Sequence, residues 1–322
     1  MITAEGVAST AVRPVHTSLP PAPPRPTDPD GVGVTDIELG TAYTWTGARD
    51  LGATRRQIAQ DGVRMGRGLY LSSAVEPELT TRCRAWRLVL PGDVAFGLGT
   101  AARLYGAPID EPPTVHVVVP SRRQLPRRAG VTVHERLLAE EDVVVTGGLP
   151  LTSGPQTFLD LAARLPPAEL VAVGDALLRA GEMDAGSLAR RLERADRVRG
   201  VVRARECAPR LDGRAASRPE SLVRHWLVTS DLPDPQVQVP VCDRWGRAVV
   251  HADLGYPEWE VALEYDGRQH AGPGQFGRDV DRYSLMAADG WLVLRFAARH
   301  LGGPVVVVER TRRALISRGW RP

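Results

Sequence analysis

The chain has 322 residues, 43% hydrophobic and 25% charged, which suits a soluble globular protein of about two domains. Its formal net charge is only +3 and it contains no lysine, so every fixed side-chain cation is an arginine; charge alone does not announce a nucleic-acid binder, although the planar guanidinium suits phosphate. No apolar run approaches the ~20 residues that span a bilayer, no secretory leader pattern opens the chain, and the scattered Cys83, Cys207 and Cys242 exclude a disulfide framework or a paired CxxC zinc site. A cytoplasmic protein with no membrane partner is expected.

Residues 1–37 are dense in proline and poor in large apolar side chains, which predicts a disordered lead-in. A first folded module is expected over residues 38–204. Its opening stretch predicts two short helices, a turn and a hairpin, with Gly52-Ala53-Thr54 as turn and N-cap. That is the pattern of a winged helix-turn-helix, in which Arg55, Arg56 and Gln57, followed by Gln60, stand on the helix that enters the major groove. The alternative is a small helical packing module with solvated arginines. Further on, Leu79–Ala107 reads as helical, PTVHVVVP and GVTVHERLL as strands joined by the basic loop SRRQLPRR, and Gly154–Ala180 as helical again. Asp160 and Thr157 are expected to cap the helix and hydrogen-bond in the core. The arginine-rich run 190–206 predicts a solvated helix bridging to a second domain, residues 205–322.

That domain opens with a helix at SRPESLVRHWL, where Ser217 and Glu220 have the spacing of a capping box. Two strands follow, RAVVHADLGY and WEVALEYDG. If Pro257 and Glu258 centre the hairpin, Asp253 lies opposite Ala262 and diagonal to Glu264, with Asp266 pointing the same way. Three carboxylates on one sheet face repel one another unless a cation sits among them. A hard divalent ion, Mg²⁺ or Mn²⁺, held by Asp253 and Glu264 is the expectation, and it could polarise a phosphodiester and activate a water. The alternative is a solvated polar face without metal.

Two resemblances sharpen this reading. From the winged helix through GRGLYL, TAARLYG, VHVVVP and LPLTSGPQTFLDLA, residues 38–200 resemble the AbiEi-type antitoxins, which implies a DNA-binding or regulatory role and no catalytic residues. The run ALEYDGRQH, then QFGRDVDRYSLMAADGWLVLRF, resembles the PD-(D/E)XK endonuclease domains related to very-short-patch-repair nucleases, over residues 215–320. The fold so implied is α/β, a restriction-endonuclease-like mixed sheet flanked by helices, preceded by a winged-helix and α+β module. The second resemblance implies Asp253 and Glu264 as metal ligands and Glu220 as a nearby acid. The family's usual lysine is Asp266 here, which makes His270 the natural proton shuttle, unless it is a structural histidine. Gln269 could orient water or touch phosphate. Arg282, on one helix with Asp279, could clamp phosphate or simply pair with that acid. The expected function is metal-dependent cleavage of DNA, with RNA as a weaker possibility for the same chemistry. The alternative is a non-catalytic DNA-binding regulator or antitoxin with a degenerate nuclease fold. DNA is the expected partner, with an unidentified toxin or a second copy of the chain as a further one.

Overall fold

The computed structural model describes residues 38–121, 125, 127–243, 245–266 and 283–322. The expected lead-in, 1–37, and the candidate residues Gln269, His270, Asp279 and Arg282 lie outside the described residues. Strand β1 (Ala42–Thr44) leads into α1 (Trp45–Asp50), a turn, and α2 (Arg55–Asp61). As the sequence implies, Thr54 caps α2, in a reciprocal box in which its hydroxyl binds the Gln57 amide and the Gln57 side chain binds the Thr54 amide. The hairpin β2 (Gly62–Gly66) and β3 (Leu69–Ser72) then completes a small antiparallel sheet with β1, ordered β1-β3-β2.

The next elements are α3 (Leu79–Arg87), β4 (Ala95–Phe96), α4 (Leu98–Leu104), β5 (Val115–Val119), β6 (Val131–Glu135), β7 (Val143–Thr146) and β8 (Leu149–Thr152). The continuous helix expected over Leu79–Ala107 is therefore broken in two, because Pro91-Gly92 cannot carry it through. The five strands make one mixed sheet, ordered β6-β5-β4-β8-β7. Helices α5 (Gly154–Ala162), α6 (Pro167–Arg179), α7 (Ala185–Glu193) and α8 (Val201–Cys207) follow. The helix expected over Gly154–Ala180 is likewise split, at Pro166-Pro167. The run 190–206 is not one solvated helix either. Arg191 is buried and binds the Gln156 side chain and Asp142, while Arg203 and Arg205 donate to the backbone carbonyls of Ala162 and Leu165 and of Leu192 and Ala195. These guanidinium groups close the open carbonyl ends of neighbouring helices. One core, built on Trp86, Phe96, Phe158 and Leu159, runs through this whole region.

Helix α9 (Arg218–Val228) packs against α6 and against α11 (Pro304–Ser317). Between α9 and α11 lie β9 (Gln236–Cys242), β10 (Ala248–Tyr256), β11 (Val261–Asp266), helical residues 283–288 (α10) and β12 (Leu292–Ala297). Strands β9, β10 and β11 are antiparallel neighbours, and β12 runs parallel to β11. One face of this sheet buries Leu254, Leu263 and Phe296 under α9 and α11, and a separate cluster gathers Val239, Ala252, Ala262 and Met286. The chain is thus a mixed α/β protein with several sheets flanked by helices. Among the described residues, no helix is long and apolar enough to cross a membrane.

Candidate functional site

Acid residues gather where β10 and β11 pass the start of α9. The hairpin register differs from the sequence expectation by two residues: Tyr256 pairs with Val261 and Leu254 with Leu263, so the ladder extended one step sets Asp253 beside Glu264 rather than diagonal to it. The physical reason is the turn. Pro257–Trp259 forms a 3-10 turn and Glu260 takes the left-handed conformation with φ 49°, which needs four loop residues instead of two.

Strict alternation also fails at this point. Val237 and Leu254 belong to one core cluster, whereas Val239 and Ala252, two residues away on the same strands, belong to the other. Between them stand Gln238 and Asp253. Gln238 has φ 54°, a left-handed conformation uncommon outside glycine, and it lets the strand change the face it presents.

Glu220, Asp253 and Glu264 line a cavity of about 10 Å³, room for roughly one water molecule. Ser217 caps α9 through the Glu220 amide, but the Glu220 carboxylate reaches one residue further back than a standard box, accepting from the Ala216 amide and the Ser217 hydroxyl at 2.8 Å each. Gln238 donates to the same carboxylate at 3.5 Å. Burial, reinforced by the Asp253 charge, raises the Glu220 carboxyl above its ordinary range, against the lowering effect of the Ala216 and Ser217 donors and the Arg179 charge. Asp253 accepts from the Tyr265 amide at 2.9 Å, and Glu264 is 4% exposed.

Asp266, at the position where the nuclease pattern has lysine, is ion-paired to Arg295 at 2.7 Å, and Arg295 stacks over the Tyr283 ring at 4.2 Å. Sequence reading missed both Gln238 and Arg295. A glutamine amid valines offers no warning of a positive φ, and Arg295 reaches Asp266 only through the parallel register of β11 and β12, in which it stands beside Glu264. Among the described residues no group of three or more His, Cys, Asp and Glu side chains is arranged to hold a metal ion. Glu220, Asp253 and Glu264 are hard oxygen donors, yet Glu220 and Asp253 are already committed to protein N–H and O–H groups, so by themselves they do not make a finished cation site.

A second feature lies beside the small N-terminal sheet. A groove of about 1340 Å³ is walled by the β2–β3 hairpin, the start of α1, Leu125 and residues 127–129. Arg64, Arg67, Arg127 and Arg128 line it together with Trp45 and Tyr70, and among the described residues no carboxylate does. None of these four arginines is ion-paired among the described residues, although Arg64 and Arg128 donate to the carbonyls of Gly66 and Arg67. Arg55 and Arg56 are exposed on α2 and do not line the groove, while the Gln57 side chain is occupied by the helix cap.

Residues 94–209, from the strand β4 region through α8, match the AbiEi antitoxin C-terminal domain family. Two relatives from Mycobacterium tuberculosis, uncharacterized proteins MT2308 of strain CDC 1551 and Rv2248 of strain H37Rv, are each 32% identical over 240 residues, covering 74% of this chain and 86% of theirs. The chain belongs to the Rv2248 family. The crystal structure of RV2827C protein from Mycobacterium tuberculosis is similar at a TM-score of 0.40 and 16% identity, covering 57% of this chain and 75% of that one. The AbiEi match bears on the first of the two sequence resemblances and stops short of residues 215–320, which carry the second.

Proposed function

We propose that this member of the Rv2248 family is a DNA-binding regulator of the toxin–antitoxin kind. The observation that carries the proposal is the groove lined, among the described residues, by four arginines, two aromatic rings and no carboxylate, set against a helix-turn-hairpin module and followed directly by the AbiEi-type domain. Unpaired guanidinium groups along a groove neutralise phosphates and release counterions, and that gives affinity with little sequence information. Base reading then falls to Arg55 and Arg56 on the exposed side of α2. A toxin is the second partner expected of such a regulator.

Fluorescence anisotropy of a labelled duplex across a salt series tests this. Wild type should bind with a steep negative slope of log affinity on log salt, and Arg64→Ala/Arg67→Ala should flatten that slope by about 2 if both contact phosphates. Arg55→Ala/Arg56→Ala should instead reduce discrimination between duplex sequences. Wild-type behaviour in both double variants would sink the reading.

A specific observation favours a second reading, metal-dependent cleavage of DNA: Glu220, Asp253 and Glu264 share one cavity at the kink between β9 and β10. Mg²⁺ or Mn²⁺ is the cofactor this reading requires, with His270 as the remaining candidate for proton transfer. Supercoiled plasmid should then be nicked with either metal and spared in EDTA. Glu264→Ala should abolish nicking and His270→Ala should slow it by ~10²–10⁴. Calorimetry should find metal binding that disappears in Asp253→Ala. A protein that binds DNA and never cuts it under any of these conditions is the regulator alone.

A further inference from the structure

Away from both features, a cavity of about 370 Å³ opens where the end of β6 meets the C-terminal end of α5 and residues 198–199. Its walls are His134, Arg136, Asp160, Ala163, Arg164 and Val198, with Arg199 at the rim. The fold builds this cavity deliberately. Gly200, at φ 89°, lets the 198–200 loop press onto the end of α5; a Cβ there would sit 2.5 Å from the Ala163 nitrogen.

Asp160 is 2% exposed and takes the Arg136 Nε–H at 2.6 Å, but its second oxygen is buried with no hydrogen-bond partner. The same holds for Nε2 of His134 and for Nδ1 of His116, whose ring meets that of His134 edge-on at 5.1 Å. Buried polar atoms left without partners are uncommon; of these, the Asp160 oxygen and the His134 nitrogen belong to residues that line the cavity, and the Asp160 oxygen calls for a hydrogen-bond donor such as a ligand hydroxyl. The charge balance says what else. Arg136 is neutralised by Asp160, whereas Arg164 and Arg199 are exposed and make no side-chain hydrogen bond or ion pair among the described residues. Burial, the neighbouring His116 and the Arg164 and Arg136 charges hold the His134 imidazole down at about 4, so it is neutral and adds no charge at pH 7.

We propose that this cavity is a binding site for a small phosphate-bearing ligand, gripped by the Arg164 and Arg199 guanidinium groups. Two guanidinium groups match the near-dianionic charge of a phosphomonoester, and each can bind it through paired N–H donors. The volume exceeds that of phosphate and falls in the range of small-molecule sites, which leaves space for an organic remainder beside Ala163 and Val198. Among the described residues no Phe, Tyr or Trp lines the cavity, which sets it apart from the stacking platform of a nucleic-acid strand site. The proposal is independent of the DNA groove, which shares no residue with it.

Calorimetric titration of the full chain with inorganic phosphate and with ribose 5-phosphate provides the test, with a duplex oligonucleotide as a separate arm. Both small probes should bind saturably, and Arg164→Ala/Arg199→Ala should weaken them at least about tenfold, the loss expected of one charge-assisted contact. The unliganded variant should melt as wild type does, since both side chains are exposed and unpaired. In nuclear magnetic resonance spectra, phosphate should shift the His134 ring signals of wild type and leave those of the variant in place. Equal binding by wild type and variant, no binding of either small probe, or binding of duplex alone would overturn the proposal.

Discussion

The AbiEi-type region and the C-terminal sheet both bury carboxylates, but they stabilise them differently. In the first, each deeply buried acid faces arginine: Asp142 binds Arg191 at 3.2 Å and Arg194 at 2.8 Å, and Asp175, fully buried, binds Arg224 at 2.7 Å. In the second, Glu220 and Asp253 rest on backbone amides, hydroxyls and an amide side chain, and Glu220 is pushed toward its protonated form. A charge met by an opposite charge is held for the sake of the architecture. Acids crowded together cost stability, and such clusters are where proteins place chemistry or a cation. The comparison is sharpest on α9, where Glu220 and Arg224 stand one turn apart and serve the two regimes.

The largest effect should come from breaking the ion pair. Arg224→Ala leaves the buried Asp175 carboxyl, which burial already pushes above its ordinary range, without its ion partner, and urea unfolding should show a loss of about 3–5 kcal/mol, largely recovered in Asp175→Leu/Arg224→Met. Failure of the double variant to recover would mean that the pair is more than local compensation. Next in size, Thr54→Ala removes the cap of α2 and should cost about 1 kcal/mol in the same measurement. Replacement by Asn should restore most of it. The smallest effect, of opposite sign, concerns Glu220. A carboxyl that holds its proton more tightly folded than unfolded makes stability fall as pH rises from the ordinary glutamate value of 4.5 through the raised folded value. Glu220→Gln should therefore flatten the decline in melting temperature over that window and leave the variant at least as stable as wild type at neutral pH. A steeper decline would reverse the sign assigned to this group.

What could be read from the chain follows the range of the interactions. The Thr54 cap, the turn at Gly52, the Ser217 cap and the core hydrogen bonds of Thr157 to Thr152 come from neighbours within a few residues, and all are present. The β10–β11 hairpin was legible as a hairpin, but its register was not, since a left-handed Glu260 has no sequence signature comparable to glycine. The sequence implies a capping or core role for Asp160; it is a core residue, yet its partner Arg136 lies far along the chain, just after β6. The Asp175–Arg224 and Asp266–Arg295 pairs join residues far apart in sequence and depend on packing that no local pattern encodes. Proline was the opposite case: Pro91 and Pro166 mark both places where an expected long helix stops.

The change of face at Gln238 and Asp253 has a further consequence for how this part of the molecule opens. Because β9 and β10 each lend residues to the clusters on both sides, neither cluster can separate from the sheet without disturbing strands that the other needs. Local opening should then be an all-or-none event rather than the peeling of one layer. In native-state hydrogen exchange, the amides of Val237 and Val239 should exchange with one common free energy and respond together to denaturant, the two clusters acting as a single cooperative unit hinged on one left-handed glutamine.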